Sequence, residues 1–244
     1  HMRMIFALLL ILIPSLSWAT PPRVVFVDEE LFAINSTHIF VLRTLSDNFG
    51  FYEVNQTDVT LIARNRETGQ DDQHWPVLSI RDKGATFEEF EPTEDRVANL
   101  GLPERVNPYD IVLWRKARLP LSSGRIYDPS AFTVADGIVT YDSRTEVFAA
   151  RLSNAQPILT ESLQASRKTI PFNPGAGPST DTAEMAKLDP LFEWPLTFSD
   201  ACRVTENHGI DVPAHSETRQ FAVKLDCNDD EQWFSVFVIL NSAQ

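Results

Sequence analysis

The sequence predicts a mainly β protein, an antiparallel β-sandwich or irregular two-sheet fold with two or three short helices. Three observations carry this expectation. Short runs rich in β-branched and aromatic residues alternate with polar residues along most of the chain, polar turn sequences interrupt them at close intervals, and helical periodicity is confined to brief stretches.

In chain order the predicted strands are Val24–Val27, His38–Leu45, Phe51–Val54, Val59–Asn65, Val77–Arg81, Ile111–Arg115, Ala131–Val134, Ile138–Tyr141, Glu146–Leu152, Cys202–Glu206, Arg219–Cys227 and Gln232–Leu240. The clearest is Arg219–Cys227. There Phe221, Val223, Leu225 and Cys227 share one face while Gln220, Ala222, Lys224 and Asp226 share the other, so this strand should be half buried. Trp233 to Leu240 is apolar on both faces apart from Ser235, which predicts a central strand covered on both sides. The polar connection Asn228-Asp229-Asp230-Glu231 makes the last two strands a hairpin.

Three helical starts are visible. Thr93 is an N-cap followed by two acids, with Gly101 as a stop; Asp181 with Glu184 forms a capping-box-like pair ahead of Asp189-Pro190; and Glu161–Arg167 is a weaker third. Prolines and glycines alternate too densely between Pro171 and Ser179 for regular structure, so residues 168–180 mark a possible sub-boundary ahead of a C-terminal part, 181–244. The preferred organisation is a single β-rich unit over residues 20–244. The alternative is a small β-propeller-like fold, because the segment from Leu31 to Val77, with Glu67-Thr68-Gly69 as a turn, has the pattern of one four-stranded blade. No second copy of that pattern follows.

Residues 1–19 read as a cloning remnant, His1, and a cleavable export signal. Arg3 is the positive n-region, Ile5 to Pro14 the apolar core, and Ser17-Trp18-Ala19 the cleavage site. The expected location is therefore extracytoplasmic, periplasmic or secreted, with no stable membrane span after cleavage. The net charge of −13, one unit more negative once Arg3 is removed, argues against nucleic acid as a partner. Cys202 and Cys227 are the only two cysteines, and in an oxidising compartment they are expected to form a disulfide that staples the C-terminal part.

Nucleophile elbows, phosphate loops, dinucleotide fingerprints and zinc helices are all missing from the sequence. The most suggestive constellation is Glu206 to Glu217, read as a loop, where His208, Asp211, His215 and Glu217 are candidate zinc ligands. A solvated hairpin loop contains such residues for its own reasons. The acidic run Asp226 to Glu231 is a candidate for calcium, although it lacks the glycine and spacing of a calcium loop. No cofactor is expected, with zinc and calcium as the alternatives. The leading functional expectation is a soluble, exported, non-catalytic protein that binds another protein or a cell-envelope component. Its rival is a secreted hydrolase, metal-assisted through His208, Asp211 and His215.

Overall fold

A computed structural model describes residues 22–48, 55–81, 87–89, 125–169, 198, 201–211, 218–228 and 232–243. The chain is mainly β, with eleven strands in one connected sheet and, among the described residues, one α-helix. Strands β1 (Val25–Ile34), β2 (His38–Asp47), β3 (Gln56–Asn65), β4 (Asp71–Arg81) and β5 (Phe87–Glu89) form an antiparallel meander in sequence order. Strands β6 (Phe132–Ala135), β7 (Ile138–Asp142) and β8 (Val147–Arg151) form a second meander. Helix α1 (Leu152–Thr169) follows directly, and β9 (Arg203–Asp211), β10 (Thr218–Asn228) and β11 (Gln232–Ser242) complete the sheet.

Turn chemistry sets the hairpins. Asn65 accepts from the backbone amides of Glu67 and Thr68 through Oδ1, and Gly69 follows at φ 72°, a left-handed conformation that glycine adopts without a Cβ penalty. Asp136 and Gly137 both have positive φ between β6 and β7, the pair of conformations that a two-residue turn needs to match strand twist.

β11 is the hinge of the architecture. One edge pairs with β10 over nearly its whole length. The other edge is shared: Gln232 to Ser235 pair in parallel with β1, and Asn241 and Ser242 pair with β8. The predicted all-antiparallel arrangement is therefore corrected to a mixed sheet, because the first strand lands beside the last one pointing the same way. The blade-like run of β1 to β4 is real as a meander, but it continues into β11 rather than standing as a separate blade.

The main core gathers Val25, Val27 and Leu45 from the first meander, Phe148 from β8, Leu152, Leu159 and Leu163 from α1, and the inward faces of β10 and β11. Phe221 lies at its aromatic centre, with ring centroids of Tyr141, Phe148, Tyr127 and Phe132 at 4.8, 5.0, 5.2 and 5.4 Å. On β10, Phe221, Val223, Leu225 and Cys227 are buried together as alternation predicts, while Ala222 on the opposite face joins Ile39, Val41, Ile62, Ile210 and Phe237 in a second cluster. Burying the second face matters. It is produced by the first meander curling over the β11 edge.

Three expectations change. The helix expected over Glu161–Arg167 runs for 18 residues from Leu152 despite Pro157, because Leu152, Leu159 and Leu163 supply a core-facing stripe that sequence periodicity understated. Trp233 is 52% exposed, not covered, because it lies at the start of β11 beside Phe26 on the solvent face. The stretch from Glu206 to Asp211 is strand, not loop, since β9 pairs with β10 as far as Asp211–Thr218. The expected strands Phe51–Val54 and Ile111–Arg115, and the helices expected from Thr93 and Asp181, lie outside the described residues.

Candidate functional site

Strand alternation places charged residues on the inward faces of the first meander. Glu29 shares its face with Val25 and Val27, Arg43 with Ile39, Val41 and Leu45, and Arg64 with Ile62. Glu29 and Arg43 stand directly opposite each other across β1 and β2, and Arg64 and Asp71 stand opposite across β3 and β4. The register shift after Ala63 leaves Asp72 as an extra residue in β4, which brings Asp71 and His74 to the same inward face.

The result is a closed, charge-neutral quartet. Arg43 donates to Glu29 Oε1 from Nε (3.0 Å) and Nη2 (2.6 Å), and from Nη1 to the Ser162 and Ser166 hydroxyls of α1 at 2.8 and 3.1 Å. Arg64 donates to both Glu29 oxygens at 2.8 and 2.9 Å and to both Asp71 oxygens at 2.7 and 3.2 Å. Its remaining hydrogen bond goes to the Phe237 carbonyl, while Glu29 Oε2 accepts the Phe237 amide at 2.8 Å. Phe237 is at the place where β1 has left β11 and β8 has not yet joined it, so side chains here replace the missing strand.

These contacts set the protonation states. Burial alone would raise the pKa of Glu29, but the adjacent Arg64 and Arg43 outweigh it and bring it down to about 2. Asp71 is held below the usual carboxylate range in the same way, mainly by Arg64. Burial pushes the His74 imidazole down to about 4 against the opposing pull of Asp71, with the arginines adding to the depression. The polar centre therefore carries two carboxylates, two guanidiniums and a neutral imidazole.

Ser162, His74 and Asp71 meet at this centre, but not as a nucleophile, base and orienting acid. Asp71 binds the Ser162 hydroxyl directly, and His74 presents the same nitrogen, Nε2, to Ser162 at 3.4 Å and to Asp71 at 3.9 Å. A triad requires the imidazole to stand between the other two, one ring nitrogen to each. Ser162 works here as a hydrogen-bond bridge from α1 to the sheet.

Beside the quartet, the fork between β1 and β8 opens a cleft of about 280 Å³. Its walls are the β3–β4 turn with Arg66, the end of β8 with Arg151, and the start of α1 with Asn154; Ile158, Leu159 and Val238 contribute alkyl surface. Arg66 is half buried and anchored by neutral groups, donating from Nε to Gln220 Oε1 at 2.9 Å and from Nη1 to the Asn35 carbonyl at 2.7 Å. Gln220 in turn donates to Asn241 Oδ1 at 2.7 Å, so the wall is braced from β10 and β11.

Cys202 and Cys227 form the expected disulfide, tying the residue before β9 to β10, and both are buried. His208 lies in β9 with its Nε2 donating to Glu206 at 2.6 Å, a bond that holds the Glu206 carboxyl below the usual range. Its Nδ1 is buried without a hydrogen-bond partner. Asp211 ends β9 opposite Thr218, whereas His215 and Glu217 lie outside the described residues. Among the described residues no three His, Cys, Asp or Glu side chains gather as a metal site. Asp226 from the acidic run is engaged by Arg203 and by Ser235.

Sequence reading missed the quartet and Arg66. The signal that finds the quartet is parity: a charged residue separated by two from buried aliphatics on the same strand, as Arg43 is from Val41 and Leu45, points inward and needs a partner. No helix among the described residues is long and apolar enough to cross a membrane. No protein-family model, no curated protein sequence and no solved structure matches this chain.

Proposed function

We propose that the chain is an exported, non-catalytic binding protein that recognises another protein or a cell-envelope component through the cleft at the β11 fork. The carrying observation is the build of that cleft. It sets a half-buried guanidinium, braced by Gln220 and the Asn35 carbonyl, beside alkyl surface on a rigid sheet. Such a wall orients and holds a ligand. The buried Cys202–Cys227 bridge supports an oxidising, extracytoplasmic setting.

The test is a photo-reactive residue placed at Asn154 on the cleft rim, with Thr133 on β6 as control, in full-length protein returned to its native host. A single crosslinked species from the Asn154 position, and none from Thr133, is the expected result. Crosslinking equal at both positions, or turnover of ester or peptide substrates by the purified protein, overturns the reading.

A further inference from the structure

Three arginines of the first meander, Arg43, Arg64 and Arg66, are treated differently by the fold. Arg43 and Arg64 are deeply buried, and each is neutralised by carboxylates on neighbouring strands. Arg66, two residues after Arg64, is also withdrawn from solvent, yet its two hydrogen-bond acceptors are an amide oxygen and a main-chain carbonyl, both uncharged. No carboxylate pairs with it among the described residues, and burial depresses its pKa without an opposing charge to restore it. A guanidinium has five N–H donors, so those beyond Nε and one on Nη1 remain to be used. Burying a charge in this condition is costly unless something pairs with it.

The rest of the cleft has matching chemistry. Arg151, exposed at the end of β8, lines it and makes no ion pair among the described residues. Strand alternation turns the amide and carbonyl of Ile239 toward the same edge of β11 as those of Phe237, and neither β1 nor β8 pairs with that position. Glu67 also lines the cleft but forms no ion pair with Arg66. The volume of about 280 Å³ is at the small end for ligand sites, enough for a group the size of one large side chain.

We propose that the cleft binds a carboxylate attached to a single apolar group, with Arg66 and Arg151 pairing its oxygens, the Ile239 amide as a further donor, and Ile158, Leu159 and Val238 receiving the apolar part. The proposal rests on the binding-protein reading and names its ligand chemistry. Two sources share that chemistry: the C-terminus of a polypeptide ending in an aliphatic residue, and a free small aliphatic acid. Backbone donors and arginine forks suit a carboxylate in either.

Isothermal titration of the full chain with hexanoate, with a hexapeptide ending in leucine as the free acid, and with the same peptide as its C-terminal amide tests it. Binding of an acid, with the amide at least about tenfold weaker, is expected, because the amide loses the charge that Arg66 pairs. Peptide acid binding well above hexanoate identifies a chain terminus as the source, and equal binding identifies the free acid. Arg66→Met and Arg151→Gln should each weaken acid binding roughly tenfold, the loss expected for one charge-assisted hydrogen bond. Among the described residues Arg151 makes no ion pair, so Arg151→Gln remains informative if Arg66→Met is unstable.

The inference is overturned by equal affinity for acid and amide, by no binding of either acid at millimolar concentration, or by Arg151→Gln leaving acid affinity unchanged. Those failures leave the crosslinking result at Asn154 untouched, so loss of the carboxylate inference is distinguishable from loss of the binding-protein reading.

Discussion

Arg64 on β3 donates from Nη1 to the main-chain carbonyl of Phe237 at 2.7 Å, across 173 residues of sequence. With Glu29 accepting the Phe237 amide, two side chains complete the edge of a strand that no neighbouring strand covers at that point. The buried charges thus fix how the first meander sits against β11. Buried ion pairs are weak sources of net stability but expensive to break by halves.

Glu29→Gln should therefore destabilise strongly, since it leaves Arg43 and Arg64 sharing one carboxylate. A loss of about 3–5 kcal/mol is expected, read as a drop of roughly 10 °C in Tm by calorimetry. The pair of exposed Arg203 with Asp226, at 3.0 Å, is the contrast. Arg203→Met should change stability by less than about 1 kcal/mol.

Acid should weaken the fold in two stages. His74 titrates near 4 in the native state against an ordinary 6.5, so between those values the unfolded chain takes up a proton that native His74 refuses. Stability is then complete above pH 6.5 and falls as pH drops toward 4, by an amount on the order of 3 kcal/mol. Glu29, lowered from 4.5 to about 2, adds a second loss as pH falls below 4.5. Urea unfolding across pH 7 to 4 should show the first decline in the parent protein, and His74→Gln should flatten it.

The strand pattern was legible because β10 alternates cleanly, β11 is a nearly continuous apolar run and the connection between them is polar. The meander of β2, β3 and β4 was equally visible from its β-branched runs. Alternation, however, assigns charged residues to solvent by default. Asp71 and His74 are three apart, an odd spacing that separates them on a regular strand; only the bulge at Asp72 brings them to one side. Arg66 was hidden for a different reason. It belongs to a turn in sequence, and nothing local reveals that β8 and α1 close around it.

Removal of the disulfide has a predictable scale. Cys202 and Cys227 are 25 residues apart, and opening a loop of that length returns chain entropy to the unfolded state worth about 3.5 kcal/mol. A Cys202→Ala, Cys227→Ala double variant should unfold at correspondingly lower urea concentration. Because both sulfurs are buried, native protein should resist mild reductant and lose the bridge only once unfolded.

Phe221 is the packing counterpart of the polar centre. Its ring touches four others drawn from β6, β7, β8 and the segment before them, so Phe221→Ala should cost about 3–5 kcal/mol and loosen that meander from β10. Near-ultraviolet circular dichroism, which reports aromatic packing, should lose intensity in the variant while the far-ultraviolet β signal remains.

The parallel pairing of β1 with β11 places the first strand beside the last. During synthesis, β1 to β4 emerge with Glu29, Arg43, Arg64 and Asp71 able to find one another, but the Phe237 backbone that they complete arrives last. The meander must wait, with its inner face open, until the final hairpin docks. Such distant closure makes folding slow and leaves an interval in which a chaperone can hold the chain.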